Sequence, residues 1–193
     1  VSFWRPSIAG SGQAVTDPEV QAMLDFQAGN ERAFDGLYLR HATVLGRFFH
    51  RAVGSRALSE ELVQDTFFKI HRLRESYRPA ASFRTYLFTV ARSVLLNNWR
   101  RINQQRNTQT DLPPDLDAGP ASLVEAELGS RQELRLLQQA LAGLPERQRT
   151  ALLLVRFEEL SYEEAATIMK TSVPALKSIL NRARTELLRQ VQS

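Results

Sequence analysis

Apolar residues recur every three or four positions along most of the chain, and no stretch alternates between apolar and polar as a half-buried strand would. From about Asp17 to Ile102 the repeating positions are Val20, Met23 and Leu24; Phe34, Leu37 and Tyr38; Leu45, Phe48 and Phe49; then Leu58, Leu62, Val63, Thr66 and Ile70. In the segment Ser82 to Arg101 the same spacing turns Leu87, Ala91, Val94 and Asn98 inward. Thr85, Thr89, Arg92, Ser93, Leu96 and Arg100 then point outward, with Tyr86, Phe88 and Trp99 on the flanks. The pattern stops over residues 103–123, where Gln, Asn, Thr, Asp, Pro and Gly neither pack a core nor propagate a helix. It resumes at about Val124 and runs to Val191, with breaks at Gly143–Pro145 and Met169–Ser172. The chain is therefore expected to be all-α: a flexible tail over 1–17, a helical domain over 18–102, a flexible acidic linker over 103–123, and a second small helical domain over 124–193.

Composition narrows the chemistry. The chain of 193 residues has no cysteine, which excludes disulfides and cysteine-ligated metals, and its three histidines (His41, His50, His71) fall in no metal-ligand spacing. Neither a metal nor a cofactor is expected. No apolar run approaches the roughly 20 residues that cross a bilayer, and the start VSFWRPSIAGSG lacks the apolar stretch of a signal peptide. A cytoplasmic protein that does not insert into a membrane is the expectation. There is no glycine-rich phosphate loop, no placed pair of catalytic carboxylates and no nucleophile with its base, so the chain does not read as an enzyme.

A net charge of +4 is too small to signal nucleic-acid binding, but its distribution is informative. Phe83 to Arg106 carries Arg84, Arg92, Arg100, Arg101 and Arg106 with no acid, and from Lys170 to Arg189 five bases face the single acid Glu186. Between them Asp111 to Glu127 has acids and no base. Two basic helical patches joined by an acidic strap fit two contacts with one polyanion, although solvated helix faces would look the same.

The C-terminal patch has a recognisable frame. Ser161-Tyr162-Glu163-Glu164 is a capping box that starts one helix, and Ser172 can cap a second in which Pro174 lies in the first turn. In the second helix Leu176, Leu180, Ala183 and Leu187 form one stripe, while Pro174, Ser178, Asn181, Arg182 and Thr185 face away. Helix, tight turn and longer helix with a polar outer face describe a helix-turn-helix, whose second helix can enter a major groove. Lys170 occupies the turn where glycine is usual, and a left-handed conformation there would cost roughly 1 kcal/mol.

A helix-turn-helix is shared by repressors, response regulators and other DNA-binding proteins, so the first domain must discriminate. Its segments are Leu58-Ser59-Glu60-Glu61-Leu62-Val63-Gln64-Asp65-Thr66-Phe67-Phe68-Lys69-Ile70, Ser82-Phe83-Arg84-Thr85-Tyr86-Leu87-Phe88-Thr89-Val90-Ala91-Arg92, and Asn97-Asn98-Trp99-Arg100-Arg101. They resemble conserved region 2 of bacterial extracytoplasmic-function (ECF) sigma factors of RNA polymerase. Leu144-Pro145-Glu146-Arg147-Gln148-Arg149, the Glu-Leu-Ser-Tyr-Glu-Glu-Ala-Ala box and the stretch Leu176 to Arg184 resemble their region 4, in the same order along the chain.

The resemblance implies a transcription initiation factor that binds core RNA polymerase and directs it to promoter DNA. On it, Glu61, Gln64, Asp65 and Phe68 would hold the clamp helices of the largest catalytic polymerase subunit. Phe68 lies opposite the apolar stripe among charges, as an interface residue would. Arg84, Tyr86, Arg92, Asn97, Trp99, Arg100 and Arg101 would read and open the -10 element, in keeping with a single-strand site that mixes arginines with aromatic rings. Phe83 and Phe88 are expected in the core instead. Ser172, Pro174, Ala175, Lys177, Ser178, Arg182 and Arg184 would meet the -35 element. An anti-sigma factor is a further expected partner, and Asp111, Asp115 and Asp117 fit the family's habit of threading an acidic segment through polymerase, or a plain soluble tether. Two departures stand out: Ser93 where asparagine is common, and Ile179 where arginine is common, the latter removing one phosphate contact. The competing reading is a helix-turn-helix regulator that acts without being a polymerase subunit; it would need a ligand pocket or a receiver domain's β/α pattern, and the sequence has neither.

Overall fold

The computed structural model describes residues 17–108 and 131–192, and every regular element among them is helical. Residues 1–16 of the expected tail, the acidic positions Asp111, Asp115 and Asp117, and most of the expected linker lie outside the described residues, whereas Asp17, the last expected tail position, is ordered as the cap of α1. The elements are α1 (Pro18–Gln27), α2 (Glu31–Val53), α3 (Arg56–Arg72), a short 3-10 turn (Arg74–Ser76), α4 (Phe83–Thr108), α5 (Arg131–Ala142), α6 (Glu146–Leu152), a π-helical turn (Leu153–Phe157), α7 (Tyr162–Ile168) and α8 (Val173–Gln192).

Helices α1 to α4 make the N-terminal bundle. Its centre is aromatic: Phe26, Phe48, Phe49, Phe83 and Phe88 are fully buried, with Met23, Leu45, Leu62, Ile70, Leu87 and Leu95 around them. Phe26 stacks on Phe34 at 4.5 Å, and Phe48 meets Phe88 edge-on at 5.3 Å. Such ring pairs add to plain area burial by roughly 0.5–1.5 kcal/mol each. Helix α2 stops at Gly54, whose φ of 76° is open to glycine without penalty and lets its N–H reach the His50 carbonyl. Ser55 then caps α3 by accepting from the Leu58 N–H at 3.3 Å.

One carboxylate starts two helices. Asp17 Oδ1 accepts from the Glu19 N–H at 2.9 Å and caps α1, while its Oδ2 accepts from the Phe83 N–H at 3.2 Å at the head of α4. The approach to α4 is fixed from a second side by Gln27, whose Nε2 donates to the carbonyls of Arg74, Glu75 and Tyr77. Helix α4 continues past Ile102 to Thr108, beyond the expected end of the first domain, because Asn, Gln and Arg there are tolerated in a helix and no Pro or Gly intervenes.

The C-terminal domain packs α5, α6, α7 and α8 around Leu141, Leu144, Ala151, Leu153, Leu154, Ile168, Leu176 and Ala183. After α6 the helix widens into the π turn, where the Glu158 N–H bonds to the Leu153 carbonyl at 3.0 Å. Glu159 follows with φ 51°, a left-handed residue carrying a side chain. The capping box is present as expected: Ser161 Oγ accepts from the Glu164 N–H at 3.2 Å and Glu164 Oε2 from the Ser161 N–H at 3.0 Å.

The double use of Asp17 has a measurable consequence. Asp17→Ala should cost about 1–2 kcal/mol in urea unfolding, whereas Asp17→Asn, which keeps one acceptor oxygen for two N–H donors, should lose about half of that.

Candidate nucleic-acid interface

Helix α3 buries Leu62, Val63, Thr66, Phe67 and Ile70 and turns Glu61, Gln64, Asp65 and Phe68 outward, as the helical period requires. Phe68 is 63% exposed, with the Arg72 guanidinium 5.8 Å from its ring. Arg101 of α4 reaches Glu61 at 3.8 Å, which ties the two candidate faces together.

Along α4 the expected inward residues Leu87, Ala91, Val94 and Asn98 are buried, as are Phe83 and Phe88. Arg100 and Asn97 are exposed, and Arg92 is half-buried. The Arg92 Nε has no hydrogen-bond partner, and its charge is disfavoured first by burial and then by Arg147 and Arg100. A cluster of cations of this kind favours a polyanion. Ser93 accepts a hydrogen bond from Lys69 Nζ at 2.8 Å, so the serine links α4 to α3.

Two α4 residues, Thr85 and Trp99, differ from the expectation, and Tyr86 keeps the flank expected of it. Thr85 is buried rather than outward, because its hydroxyl donates to Glu164 of α7 at 3.3 Å as well as meeting Ser82 at 3.0 Å. Trp99 is only 7% exposed, lying beneath the Arg149 guanidinium at 5.2 Å from its ring. Tyr86 is half-buried, edge-on to Tyr77 at 4.8 Å, and burial pushes its phenol up to about 12. It supports the bundle on one side while flanking the outer face. The placements of Thr85 and Trp99 come from neighbours distant in sequence, which helical periodicity does not register.

In the helix-turn-helix the turn between α7 and α8 keeps its left-handed residue with a lysine in place of glycine, Lys170 at φ 51°. The Thr171 N–H bonds to the Ala166 carbonyl at 2.9 Å and the Lys170 N–H to that of Thr167 at 3.1 Å. These bonds hold the helix end closed against the strain. Ser172 caps α8 by accepting from the Ala175 N–H at 3.3 Å. Pro174, Lys177, Ser178, Arg182 and Arg184 are exposed on one side, and Lys177 stands over the Tyr162 ring at 5.4 Å. Ala175 is half-buried beside them. Ile179 is buried in the domain core, so the position lacking the expected arginine contributes packing.

Sequence reasoning missed the contacts between the two domains. The Arg51 Nη1 approaches Glu158 Oε1 at 3.5 Å, and the Arg84 Nη2 donates to the Glu158 carbonyl at 2.6 Å and lies 3.9 Å from its Oε2. Burial pushes the Glu158 carboxyl up, while Arg51, Arg84 and Arg47 pull it down. Arg149 donates to the Ala52 carbonyl at 3.0 Å, and Gln138 meets His50 at 2.9 Å. No local signal marks a surface Glu as a future buried partner.

The arrangement is that of a two-domain promoter-recognition protein. Residues 37–106 match the family model for Sigma-70 region 2, and residues 134–187 match that for Sigma-70, region 4. The RNA polymerase sigma factor YlaC of Bacillus subtilis is 30% identical over 155 residues, which cover 80% of this chain and 90% of that protein. The ECF RNA polymerase sigma factor SigE of Mycolicibacterium smegmatis is 31% identical over 193 residues, 96% of this chain and 70% of that protein. The same fold occurs in CnrH, solved in complex with the cytosolic domain of CnrY, with a TM-score of 0.69 at 24% identity over 91% of this chain and 98% of that one. The chain thus belongs to the ECF sigma factors of RNA polymerase, promoter-directing transcription initiation factors.

The exposure of Phe68 beside the burial of Phe67 gives a direct check of the α3 face. Phe68→Ala should change thermal stability by less than about 0.5 kcal/mol, while Phe67→Ala should cost about 3–5 kcal/mol.

Proposed function

We propose that this sigma factor uses three separate faces: α3 for core polymerase, the outer side of α4 for the -10 element, and α8 for the -35 element. The observation that carries the reading is that regions 2 and 4 stand in order in one chain, with the assigned side chains of α3 and α8 largely on exposed helix surfaces.

On the first face Glu61, Gln64 and Asp65 offer hydrogen bonds and charge around the Phe68 ring, an aromatic anchor with a polar rim. On the second, Arg84, Arg92, Arg100 and Arg101 hold phosphates of the displaced strand, Asn97 offers a hydrogen bond, and Tyr86 and Trp99 supply rings for unpaired bases. On the third, Lys177, Arg182 and Arg184 hold phosphates while Ser172, Pro174, Ala175 and Ser178 approach base edges at the front of the helix. Ser178 donates to the Pro174 carbonyl at 3.2 Å, which leaves its oxygen free to accept from a base.

No helix among the described residues is long and apolar enough to cross a membrane, and the reading places the protein in the cytoplasm with polymerase and chromosome. An anti-sigma factor is the partner that would restrain it, as NepR accompanies RpoE of Bartonella quintana in a structure of the same fold (TM-score 0.61, 23% identity, 82% of this chain and 96% of that one). No observation favours a regulator acting without polymerase.

The reading is tested by adding the protein to core RNA polymerase with a set of genomic promoters and sequencing the transcripts. Specific starts are expected; their absence from every promoter would overturn it. The Asp65→Ala, Phe68→Ala double variant should lose core binding in a pull-down titration while melting at nearly the wild-type temperature.

On duplex promoter, Lys177→Ala and Arg182→Ala should each weaken binding and reduce the salt slope by about one unit per lost phosphate contact. Ser178→Ala should instead change base preference at the -35 element. Unaltered affinity and choice in all three would remove α8 from the DNA.

A further inference from the structure

Lys170 is exposed in the turn between α7 and α8, with a left-handed backbone at φ 51° that glycine would adopt without strain. Strain alone assigns no role, since Glu159 has the same φ. Place and charge distinguish the lysine. Its N–H is bonded to the Thr167 carbonyl at 3.1 Å, yet its side chain makes no hydrogen bond or ion pair with the described residues. The lysine thus costs the fold stability without contributing to it, the pattern expected of a residue that serves binding.

The surroundings indicate what it binds. Ser172, two residues on, caps α8, so Lys170 stands just ahead of the helix that the basic outer face belongs to. Thr171 beside it accepts from Arg147 Nη2 at 3.5 Å, which brings a second exposed cation to the turn. Lys177, further into α8 and 5.4 Å from the Tyr162 ring centre, is a third. The first turn of α8 has no acid, and the N-terminal end of the helix dipole adds to the positive potential. A recognition helix that enters a major groove by its N-terminal residues carries the preceding turn to the groove wall, where the backbone phosphates are. Lysine suits that place: a compact charge on a flexible stem meets a phosphate from a range of directions.

We propose that Lys170 is a phosphate contact at the edge of the -35 element, extending the DNA-binding set of α8 back into the turn and positioning the helix in its groove. The inference rests on the assignment of α8 to that element. A phosphate contact carries no sequence information, so Lys170 adds affinity and fixes register without choosing bases.

The test uses holoenzyme, the full chain on core RNA polymerase, titrated against a fluorescein-labelled duplex of a promoter that gives a specific start, over a series of KCl concentrations. Lys170→Gln removes the charge and keeps the strain. Its melting temperature should match wild type, while affinity falls about fivefold at about 0.15 M salt and the salt slope drops by about one unit. Lys170→Gly removes both, so the same loss of affinity should accompany a melting temperature higher by about 2–4 °C. Lys170→Arg should keep the wild-type affinity and slope. The fold-loss in Lys170→Gln should be the same on a duplex with one -35 base pair changed, unlike that of Ser178→Ala.

Wild-type affinity and slope in Lys170→Gln would overturn the proposal. So would weaker binding of that variant to core polymerase in a pull-down titration, which would make the lysine a protein contact. Lys177→Ala is the reference: if its slope is unchanged too, the assignment of α8 fails and Lys170 falls with it. If only the Lys170 variants are silent, the proposal alone fails.

Discussion

The burial of one side of α4 is the constraint on which the rest depends. Leu87, Ala91, Val94 and Leu95 lie in the N-terminal core, so the helix can rotate in neither direction without exposing them. Asp17 fixes its start and the Gln27 bonds to the preceding loop fix the approach. Once these are set, the direction of every other α4 side chain follows at about 100° per residue. Arg100 and Asn97 reach solvent, Ser93 meets Lys69, and Arg84, Thr85 and Trp99 turn to the side that the second domain occupies. The basic character of the helix is tolerable because its arginines need not enter the core.

Much of this is legible in the amino-acid order, for reasons that differ between elements. The exposure of Gln64, Asp65 and Phe68 follows from period alone, since α3 packs on one side against its own domain. The start of α7 is written in four residues because a capping box is a local hydrogen-bond pattern. The family resemblance added what period could not, the roles of those exposed residues. Thr85 and Trp99 were illegible by contrast: both sit where the helical wheel allows solvent, and partners some 50 to 80 positions along the chain cover them. Lys170 shows the reverse case, a local rule overridden, since the Thr171 and Lys170 N–H bonds hold a left-handed lysine where glycine would be unstrained.

Glu158, which is buried, and Arg149, which is half-buried, carry an energetic tension between the domains. Removing Glu158 from water is costly, and the arginines around it offset that cost only while the geometry holds. Arg149 is likewise disfavoured as a charge by burial, relieved in part by Glu146 and by its carbonyl partners Ala52, Ala142 and Leu144. Charge pairing of this kind depends on geometry in a way that the apolar packing at the aromatic centre of the N-terminal bundle does not.

The π turn at Leu153–Phe157 gives the C-terminal domain an unusual dependence on length. A π turn holds one residue more than the α-helical ladder would, as a single-residue insertion accommodated without breaking the helix. Loss of any one residue there would restore the tighter ladder and swing everything downstream by about 100° about the axis of α6. Glu158 would leave Arg51, and the recognition helix would present a different side to its groove. The direction in which α8 faces is thus counted in residues, and a change of length by one position in that short stretch would reset it.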